Sequence, residues 1–356
     1  MEHLFNYEFD KELELPEGSN VYQNYEIANL NAQTLAEILD SPYEPPRFLV
    51  ESLLCQGLYI IAGPPKSGKS FLACQIAFNV ASGHDMWGLR VYQGDVLYLA
   101  FEDTYSRIQK RFYRMFGTAA ESNHLYIATN ARSIKNGLIK DTEQFLDKHS
   151  KVSLVIIDTF GMVRDSCSNY NYYADYETVA ILKKLADQRN LCIILVHHTR
   201  KQEANDVFQL ISGTNEIFGA ADGAMVLTKK SRTDLTADLF VVGRDQPDMQ
   251  IILRRNLHTL CWDLGEFVKE GFDEPDDPIL DAVVAFVNSE NPVWKGTATE
   301  LVSILKLGTE ANKISMHLNL NTRKLLEKNI KFERTRNHDG RIIKLSYIKK
   351  DNTSCS

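Results

Sequence analysis

The sequence predicts an α/β protein with a mostly parallel central sheet flanked by helices, followed by a small second domain. From Leu58 onward, apolar segments typical of buried strands alternate with segments of helical periodicity, as in a parallel sheet with crossover helices. A Gly- and Lys-rich segment joins the first of these strands to the first helix. Beyond residue 264, a polar and Pro-bearing stretch precedes short helices and a basic hairpin, which indicates a separate domain.

Hydrophobic periodicity places the individual elements. The strands of the sheet are predicted at residues 58–62, 96–101, 124–128, 153–157, 192–196, 224–228, 238–243 and 250–254. Helices are predicted at residues 34–39, near 69–82, 104–116, 141–149 and 174–189, and at 279–289, 297–305, 310–318 and 321–328. Residues 330–349 predict two short strands around the turn between Asn337 and Gly340.

These elements divide the 356 residues into two domains with connecting segments, as this length suggests. Residues 1–44 are predicted to form an N-terminal arm and residues 45–264 the α/β domain. An acidic linker is expected at residues 265–277, because it is rich in Asp and Glu and contains Pro. The C-terminal domain then covers residues 278–350, and residues 351–356 form a tail.

Composition bounds the class of protein. Hydrophobic residues make up 44% of the chain and charged residues 24%, which is ordinary for a globular protein. No apolar run is long enough to span a bilayer, and the acidic N-terminus lacks the basic start of a signal peptide. The six cysteines are scattered without C-x-x-C spacing, so we expect reduced thiols in a cytoplasmic protein without membrane association.

Charge is distributed unevenly along the chain. The formal net charge is −7, yet residues 277–350 hold 13 Lys/Arg and 8 Asp/Glu. A basic C-terminal module on an acidic body predicts that any nucleic-acid contact of the tail is local. By itself this excess is equally compatible with an ordinary solvated surface.

A phosphate-binding loop is predicted where the first strand of the sheet meets the first helix. Residues 63–70 fit the pattern G-x-x-x-x-G-K-S in full. In such a loop, inward-pointing backbone N–H groups and the positive end of the helix surround a phosphate. Lys69 is expected to reach the β/γ-phosphates and the Ser70 hydroxyl to ligate Mg²⁺. The predicted nucleotide-binding residues are Gly63, Pro64, Pro65, Lys66, Ser67, Gly68, Lys69, Ser70 and Phe71.

Two carboxylates follow the ends of other predicted strands, where active groups gather in parallel sheets. Asp158 ends the strand at 153–157 and is predicted to hold Mg²⁺ through water. Glu102 ends the strand at 96–101 and is predicted to act on the attacking water as a base or by positioning it. The alternatives are a turn aspartate at 158 and helix-capping roles for Glu102 and Asp103.

Two histidines, His197 and His198, follow the strand at 192–196. A neutral imidazole at this position can donate a hydrogen bond to a γ-phosphate, and losing that bond after hydrolysis can move the next loop. A structural role remains open for His198. Metal binding is disfavoured, because no further His or Cys lies at ligand spacing.

The combination of GPPKSGKS, LYLAFED, LVIIDTF, ILVHHTRK, GAADGAMVLTK and LFVVGRDQPD resembles the RecA-type, AAA_25-like ATPase domain of RepA-like hexameric helicases. Plasmids, phages and other mobile elements encode these proteins, and DnaB-type helicases and KaiC-like ATPases are wider kin. The resemblance covers roughly residues 45–260. It implies a RecA-like fold with ATP and Mg²⁺ as cofactors, with Lys69 and Ser70 at the phosphates, Glu102 as the catalytic glutamate and Asp158 as the magnesium-associated aspartate.

The same resemblance implies roles for residues that the motifs alone leave unassigned. His197 matches a switch residue that couples the γ-phosphate to DNA-facing loops, and Arg244 lies where related helicases place a finger that enters the neighbouring subunit. The polar segment between Thr199 and Gly219 corresponds to a loop that contacts single-stranded DNA, with Arg200 and Lys201 as phosphate contacts. The chain lacks a clear DnaB-type N-terminal collar.

The C-terminal domain is predicted to be winged-helix-like, since its helices and basic hairpin resemble the tails of mobile-element ATPases. One helix carries Arg323, Lys324 and Lys328 and suits the major groove. Arg334, Arg336 and Arg341 lie on the hairpin and are expected to contact phosphates. A winged helix used for protein contact is the alternative.

The leading functional prediction is an ATP-hydrolysing DNA helicase or translocase that serves replication of a mobile element. We expect a ring of subunits, a hexamer, on single-stranded DNA, with duplex DNA as a further partner of the C-terminal domain. One alternative is an ATPase switch or loader of the KaiC or recombination-mediator kind. The other is a DNA-binding regulator whose nucleotide site controls assembly.

Overall fold

The computed structural model divides the chain into two compact units, residues 45–276 and a unit formed by residues 1–44 with 277–356. Within these units the structure describes residues 32–41, 47–163, 172–199, 208, 215–231, 233–244, 246–268, 277–337 and 340–348. The two units are presented separately below.

Eleven α-helices are found in the described part of the chain, with one 3₁₀ turn at Gly117–Ala120 and one π turn at Ile134–Leu138. In chain order they are α1 (Leu35–Asp40), α2 (Lys69–Ser82), α3 (Tyr105–Phe116), α4 (Ile139–Lys148), α5 (Phe160–Val163), α6 (Tyr172–Arg189), α7 (Asn215–Ala220), α8 (Pro278–Phe286), α9 (Ala298–Leu305), α10 (Ala311–Leu320) and α11 (Thr322–Glu327).

Fourteen strands are found in the same described residues. They are β1 (Phe48–Val50), β2 (Leu54–Cys55), β3 (Gly57–Gly63), β4 (Asp95–Ala100), β5 (Leu125–Ala128), β6 (Val152–Asp158), β7 (Cys192–His198), β8 (Gly223–Thr228), β9 (Thr236–Gly243), β10 (Gln246–Arg255), β11 (Trp262–Val268), β12 (Val293–Thr297), β13 (Ile330–Asn337) and β14 (Gly340–Tyr347).

Nine strands of the larger unit form one mixed sheet in the order β11-β10-β9-β8-β3-β7-β6-β4-β5. The six strands from β8 to β5 are parallel, and β9, β10 and β11 continue the sheet as antiparallel neighbours. Helices cover the parallel strands. The predicted α/β class is therefore confirmed, and each strand predicted for this sheet overlaps an observed one.

The parallel strands are buried on both faces, and alternate residues enter two different cores. Tyr59 and Ile61 of β3 belong to the core beneath α2 and α3, whereas Leu58 and Ile60 belong to the core on the other face, with α4 and α6. Because side chains alternate along a strand, a residue's parity decides which face it serves. This alternation selects the side chains that reach the candidate site.

The boundary at the end of the larger unit differs from the prediction. Gly265–Val268, predicted as the start of the acidic linker, belongs to β11, which pairs with β10 along its length. Periodicity does not reveal this strand, because most of its residues are exposed at the sheet edge. Its one fully buried residue, Trp262, packs under α2. The rest of the predicted linker, residues 269–276, lies outside the described residues.

The smaller unit has its own core and a three-stranded antiparallel sheet in the order β12-β14-β13. Its helix starts follow capping rules: Asp277 caps α8, and Thr297 with Glu300 forms a capping box at α9. The N-terminal helix α1 belongs to this unit, because the Asn319 amide on α10 donates to the carbonyls of Leu39 and Ser41. The short helix at the start of the chain thus packs on the C-terminal module.

Membrane crossing finds no support in the helices of the described residues. None of them combines the length and the apolar character that a bilayer span requires.

Candidate functional site

The loop between β3 and α2 lies at the carboxyl edge of the parallel strands, where it joins a buried strand to a helix N-terminus. Gly68 is the N-cap residue of α2 and has a φ of 105°. A β-carbon there would lie 2.7 Å from the ring of Trp262. The indole Nε1–H of Trp262 donates to the Gly68 carbonyl at 3.2 Å. Glycine is thus needed both for the backbone conformation and for the close approach of the tryptophan.

The Lys69 ammonium is buried inside the loop. It donates to the carbonyls of Gly63 and Pro64, each at 2.8 Å, and lies 3.0 Å from Nδ1 of His198. Burial lowers the pKa of Lys69 to about 8, while the charges of Asp158 and Glu102 oppose this effect. A buried cation that lacks a full counter-charge is the group that a phosphate anion would stabilise.

Asp158 ends β6 and is almost fully buried. The Tyr98 hydroxyl donates to its Oδ2 at 2.7 Å. Burial raises the pKa of Asp158, and hydrogen bonds from Tyr98 and Ser70 oppose that shift. Its other oxygen, Oδ1, has no hydrogen-bond partner among the described residues. The carboxylate therefore lies next to the Ser70 hydroxyl with one acceptor unused.

The donor set fits a magnesium nucleotide. Besides Oδ1 of Asp158, the Ser67 hydroxyl in the loop is buried without a partner among the described residues, and buried polar groups are normally paired. No cluster of three His, Cys, Asp or Glu side chains suited to a metal occurs in the described part of the chain. Mg²⁺ held by phosphates, one hydroxyl and water-mediated carboxylate contacts needs no such cluster.

Glu102 follows β4 and is exposed. The Thr159 hydroxyl donates to its Oε1 at 2.8 Å, and its charge acts on Lys69. Its two neighbours in the chain have other partners, because Thr104 caps α3 and Asp103 forms an ion pair with Arg111 at 2.6 Å. The capping function considered for the acidic pair thus belongs to Thr104, and Glu102 is oriented by Thr159 instead.

The two histidines at the end of β7 face opposite sides of the sheet. His198 pairs in register with Gly63, and its ring contacts Lys69. His197 is buried and makes an edge contact with the ring of Phe160, with centroids 5.7 Å apart. Burial and the neighbouring Lys69 lower the pKa of His198, which favours the neutral imidazole. The structure therefore brings His198, rather than His197, to the phosphate loop.

Arg244 lies at the opposite edge of the sheet. It follows β9, whose last residue Gly243 pairs with Gly223 at the start of β8. Gly223 in turn pairs with Tyr59 near the start of β3. The seven residues of β3 separate this edge from the phosphate loop by about 20 Å. Arg244 is thus remote from the loop of its own subunit.

Several site residues escaped the sequence prediction. Trp262 braces Gly68, and its backbone is held by the Gln75 amide, with hydrogen bonds of 2.8 and 2.9 Å. Tyr98 orients Asp158. The parity of Tyr98 and Asp158 on neighbouring strands is a signal that was present in the sequence, whereas the contact of Trp262 with Gly68 spans 194 residues and leaves no local pattern.

The predicted DNA-contacting residues are only partly covered. Arg200 and Lys201 lie outside the described residues. The structure places Arg323 and Lys324 on α11, Lys328 at its C-cap and Arg334 on β13. Arg323 pairs with Glu327, and Lys328 with Asp281. The backbones of Arg336 and Arg341 pair across the hairpin, but their side chains are outside the description.

A phosphate loop with a buried lysine, a hydroxyl and two carboxylates at the carboxyl edge of this sheet defines a P-loop ATPase of the RecA-like fold class. The family model described as an AAA domain (AAA_25) matches residues 25–204, about half of the chain. The chain belongs to this AAA_25 family, which confirms the recognition of a RecA-type, AAA_25-like ATPase.

Comparison with solved structures agrees on the fold. The chain is similar to a solved structure whose title describes it as an ATPase domain, with 15% sequence identity and a TM-score of 0.50. The match covers 59% of this chain and 85% of that chain. No curated protein matches the chain.

Proposed function

We propose that this ATPase is a DNA helicase or translocase that works as a hexameric ring on single-stranded DNA during replication of a mobile element. The observation that carries the proposal is the placement of charge on the sheet. Lys69, Asp158 and Glu102 meet at one edge, while Arg244 lies at the other. This arrangement suits hydrolysis that is completed between subunits, as expected for a ring-shaped motor.

The residues divide the work of hydrolysis. Bound Mg²⁺ would neutralise phosphate charge, held by Ser70 and, through water, by Asp158. Lys69 exchanges its carbonyl contacts in the loop for the β/γ-phosphate oxygens. Glu102, oriented by Thr159, accepts a proton from the attacking water or aligns it. His198 donates to the γ-phosphate once Lys69 has moved away from its Nδ1, and Thr199 begins the loop proposed to face DNA.

Strand displacement separates this proposal from its alternatives. A forked duplex with a labelled strand, the purified protein and Mg-ATP should yield free single strand, with none in the absence of ATP. Stimulation of hydrolysis by single-stranded DNA without displacement would favour the switch or loader. Duplex binding that requires only residues 278–350 would favour the regulator. We place the protein in the cytoplasm because its six cysteines follow no disulfide spacing.

Glu102→Gln is expected to leave ATP affinity nearly unchanged and to slow hydrolysis about 10²-fold or more, the scale of lost general-base assistance. The amide keeps the shape and the bond from Thr159 but removes the base. Single-turnover kinetics with an independent binding titration measure both effects. Asp103→Asn is the matched control, because that carboxylate pairs with Arg111. A collapse of ATP binding in Glu102→Gln would assign this residue a structural role.

The two histidines should separate in a paired experiment. His198→Ala is expected to bind ATP but to lose acceleration by single-stranded DNA, because its ring contacts Lys69. If the switch is His197, as the sequence resemblance implies, His197→Ala shows that loss instead. ATPase rates with and without single-stranded DNA measure the coupling. Thermal unfolding guards against a packing defect, since His197 is buried against Phe160. Normal stimulation in both variants would reject a histidine switch.

We further propose that the smaller unit is a winged helix that binds duplex DNA through α11 and the β13–β14 hairpin. Its support is the succession of helices followed by an antiparallel hairpin carrying Arg334. The same order of elements serves protein contact in other winged helices, so DNA affinity is the decisive measurement.

Arg323→Ala with Lys324→Ala is expected to weaken duplex binding and to reduce the salt slope by about 0.9 for each phosphate that is no longer neutralised. Lys306→Ala with Lys313→Ala removes the same charge from outside α11 and should change neither. Fluorescence anisotropy across a salt series measures both variants. Equal effects in the two variants would indicate a general charge effect, and unchanged affinity in both would favour a protein partner.

A further inference from the structure

Asp222 is a buried carboxylate immediately before β8, far from the phosphate loop. Its Oδ2 accepts the backbone N–H of Leu58 at 2.8 Å and lies 3.0 Å from Nζ of Lys183. Its Oδ1 lies 3.6 Å from Nη1 of Arg244. One side chain therefore joins the first residues of β3, the helix α6 and the turn after β9.

The segment that contains Asp222 holds Arg244 at three points. The Arg244 backbone N–H donates to the Asp222 carbonyl at 2.8 Å. Its Nη2 donates to the Gly219 carbonyl at 3.2 Å, and the Asp222 carboxylate faces Nη1. Two neutral acceptors fix the direction of the side chain, and the carboxylate supplies the charge that keeps the guanidinium beside them.

The fold makes room for this carboxylate. Gly57 has a φ of 125°, and a β-carbon there would lie 2.4 Å from Oδ2 of Asp222. A longer side chain at position 222 would be pushed into the same space. The position therefore accepts aspartate or its isosteric amide, and little else of similar polarity.

The hold on Arg244 leaves its guanidinium able to reach another molecule. The arginine side chain is 60% exposed, and its 3.6 Å ion pair is longer than the 3.0 Å pair between Lys183 and the same carboxylate. Arg244 lines a cleft of about 330 Å³ together with Lys183, Lys184 and Gly219. An anion that enters this cleft meets an arginine that is already oriented, with part of its entropy lost in advance.

We propose that Asp222 is a positioning residue for Arg244 and thereby controls hydrolysis in the neighbouring subunit. The inference rests on the proposed role of Arg244 in trans. Asp222 contacts no nucleotide in its own subunit, because about 20 Å of sheet separates it from the phosphate loop. Its effect on catalysis passes only through the orientation of the arginine.

Asp222→Asn tests the inference with little change of shape. The amide oxygen still accepts the Leu58 N–H, but the charge that holds Arg244 is lost. Turnover of the assembled protein should fall at least about 10-fold and toward 10²-fold, the scale for a misplaced catalytic group. Asp187→Asn is the matched control, since Asp187 pairs with Lys183 without contacting Arg244, and it should retain full turnover.

Subunit mixing distinguishes positioning from a general structural defect. Asp222→Asn subunits keep an intact phosphate loop, so mixing them with Lys69→Ala subunits should restore hydrolysis, whereas mixing with Arg244→Ala subunits should not. Adding Asp222→Asn to Arg244→Ala should cost nothing further, because both changes remove the same interaction. A folding defect would add to the loss and would appear in the melting temperature.

The outcomes separate this inference from the proposed function. Full turnover in Asp222→Asn, with a large loss in Arg244→Ala, would overturn the positioning role and leave the trans arginine intact. A loss in Asp222→Asn that mixing with Lys69→Ala fails to rescue would place its effect within its own subunit. Full turnover in Arg244→Ala would remove the trans arginine, and the role of Asp222 with it.

Discussion

Replacing Lys69 with alanine is expected to abolish ATP hydrolysis. The ammonium is buried in the phosphate loop and held only by two carbonyls and a histidine ring nitrogen. In the proposed mechanism no other residue of this loop supplies a buried positive charge to the β/γ-phosphates. Release of inorganic phosphate under saturating Mg-ATP measures the effect, with Lys148→Ala on α4 as a lysine control distant from the loop.

The structure also bears on how this variant should be examined. Lys69 bridges Gly63 and Pro64, so its removal takes two hydrogen bonds from the loop itself. ATP binding and thermal unfolding should therefore be measured beside turnover. A folded variant without hydrolysis supports the assignment, and a folded variant with undiminished turnover would remove the hydrolytic role of the loop.

Arg244→Ala is expected to reduce hydrolysis about 10³-fold or more, the scale of an arginine supplied in trans. The physical reason is geometric. Arg244 lies at the amino-terminal edge of the parallel strands, so it cannot stabilise the phosphoryl group bound at the carboxyl edge of its own subunit. Its effect on turnover requires a neighbour whose loop faces this edge, which is a heterologous contact.

Mixing two inactive proteins tests this geometry directly. An Arg244→Ala subunit keeps its own phosphate loop, and a Lys69→Ala subunit keeps its arginine. At a junction between them, one intact loop meets one intact arginine, so hydrolysis should partly return. A fluorescence mixing control must show that subunits exchange. Exchange without rescue would place Arg244 outside a neighbour's site and would weaken the case for a ring.

The amino-acid sequence determined the fold class and the chemistry of the loop. Strand and helix periods are local properties, and the eight residues 63–70 carry their phosphate-binding pattern without help from the rest of the chain. The same holds for Asp158 and Glu102, whose positions after apolar strands predict the edge of the sheet where they meet. Their catalytic roles remain predictions.

The tertiary structure decided which side chains converge. His197 and His198 are adjacent in sequence, and only the pairing of β7 with β3 shows that His198 faces Lys69. Trp262 reaches Gly68 across 194 residues, and Asp222 meets Arg244 through a turn at the far edge of the sheet. Such contacts depend on register and on long-range packing, which leave no period in the sequence. Local patterns specify elements, whereas the packing of distant elements specifies their partners.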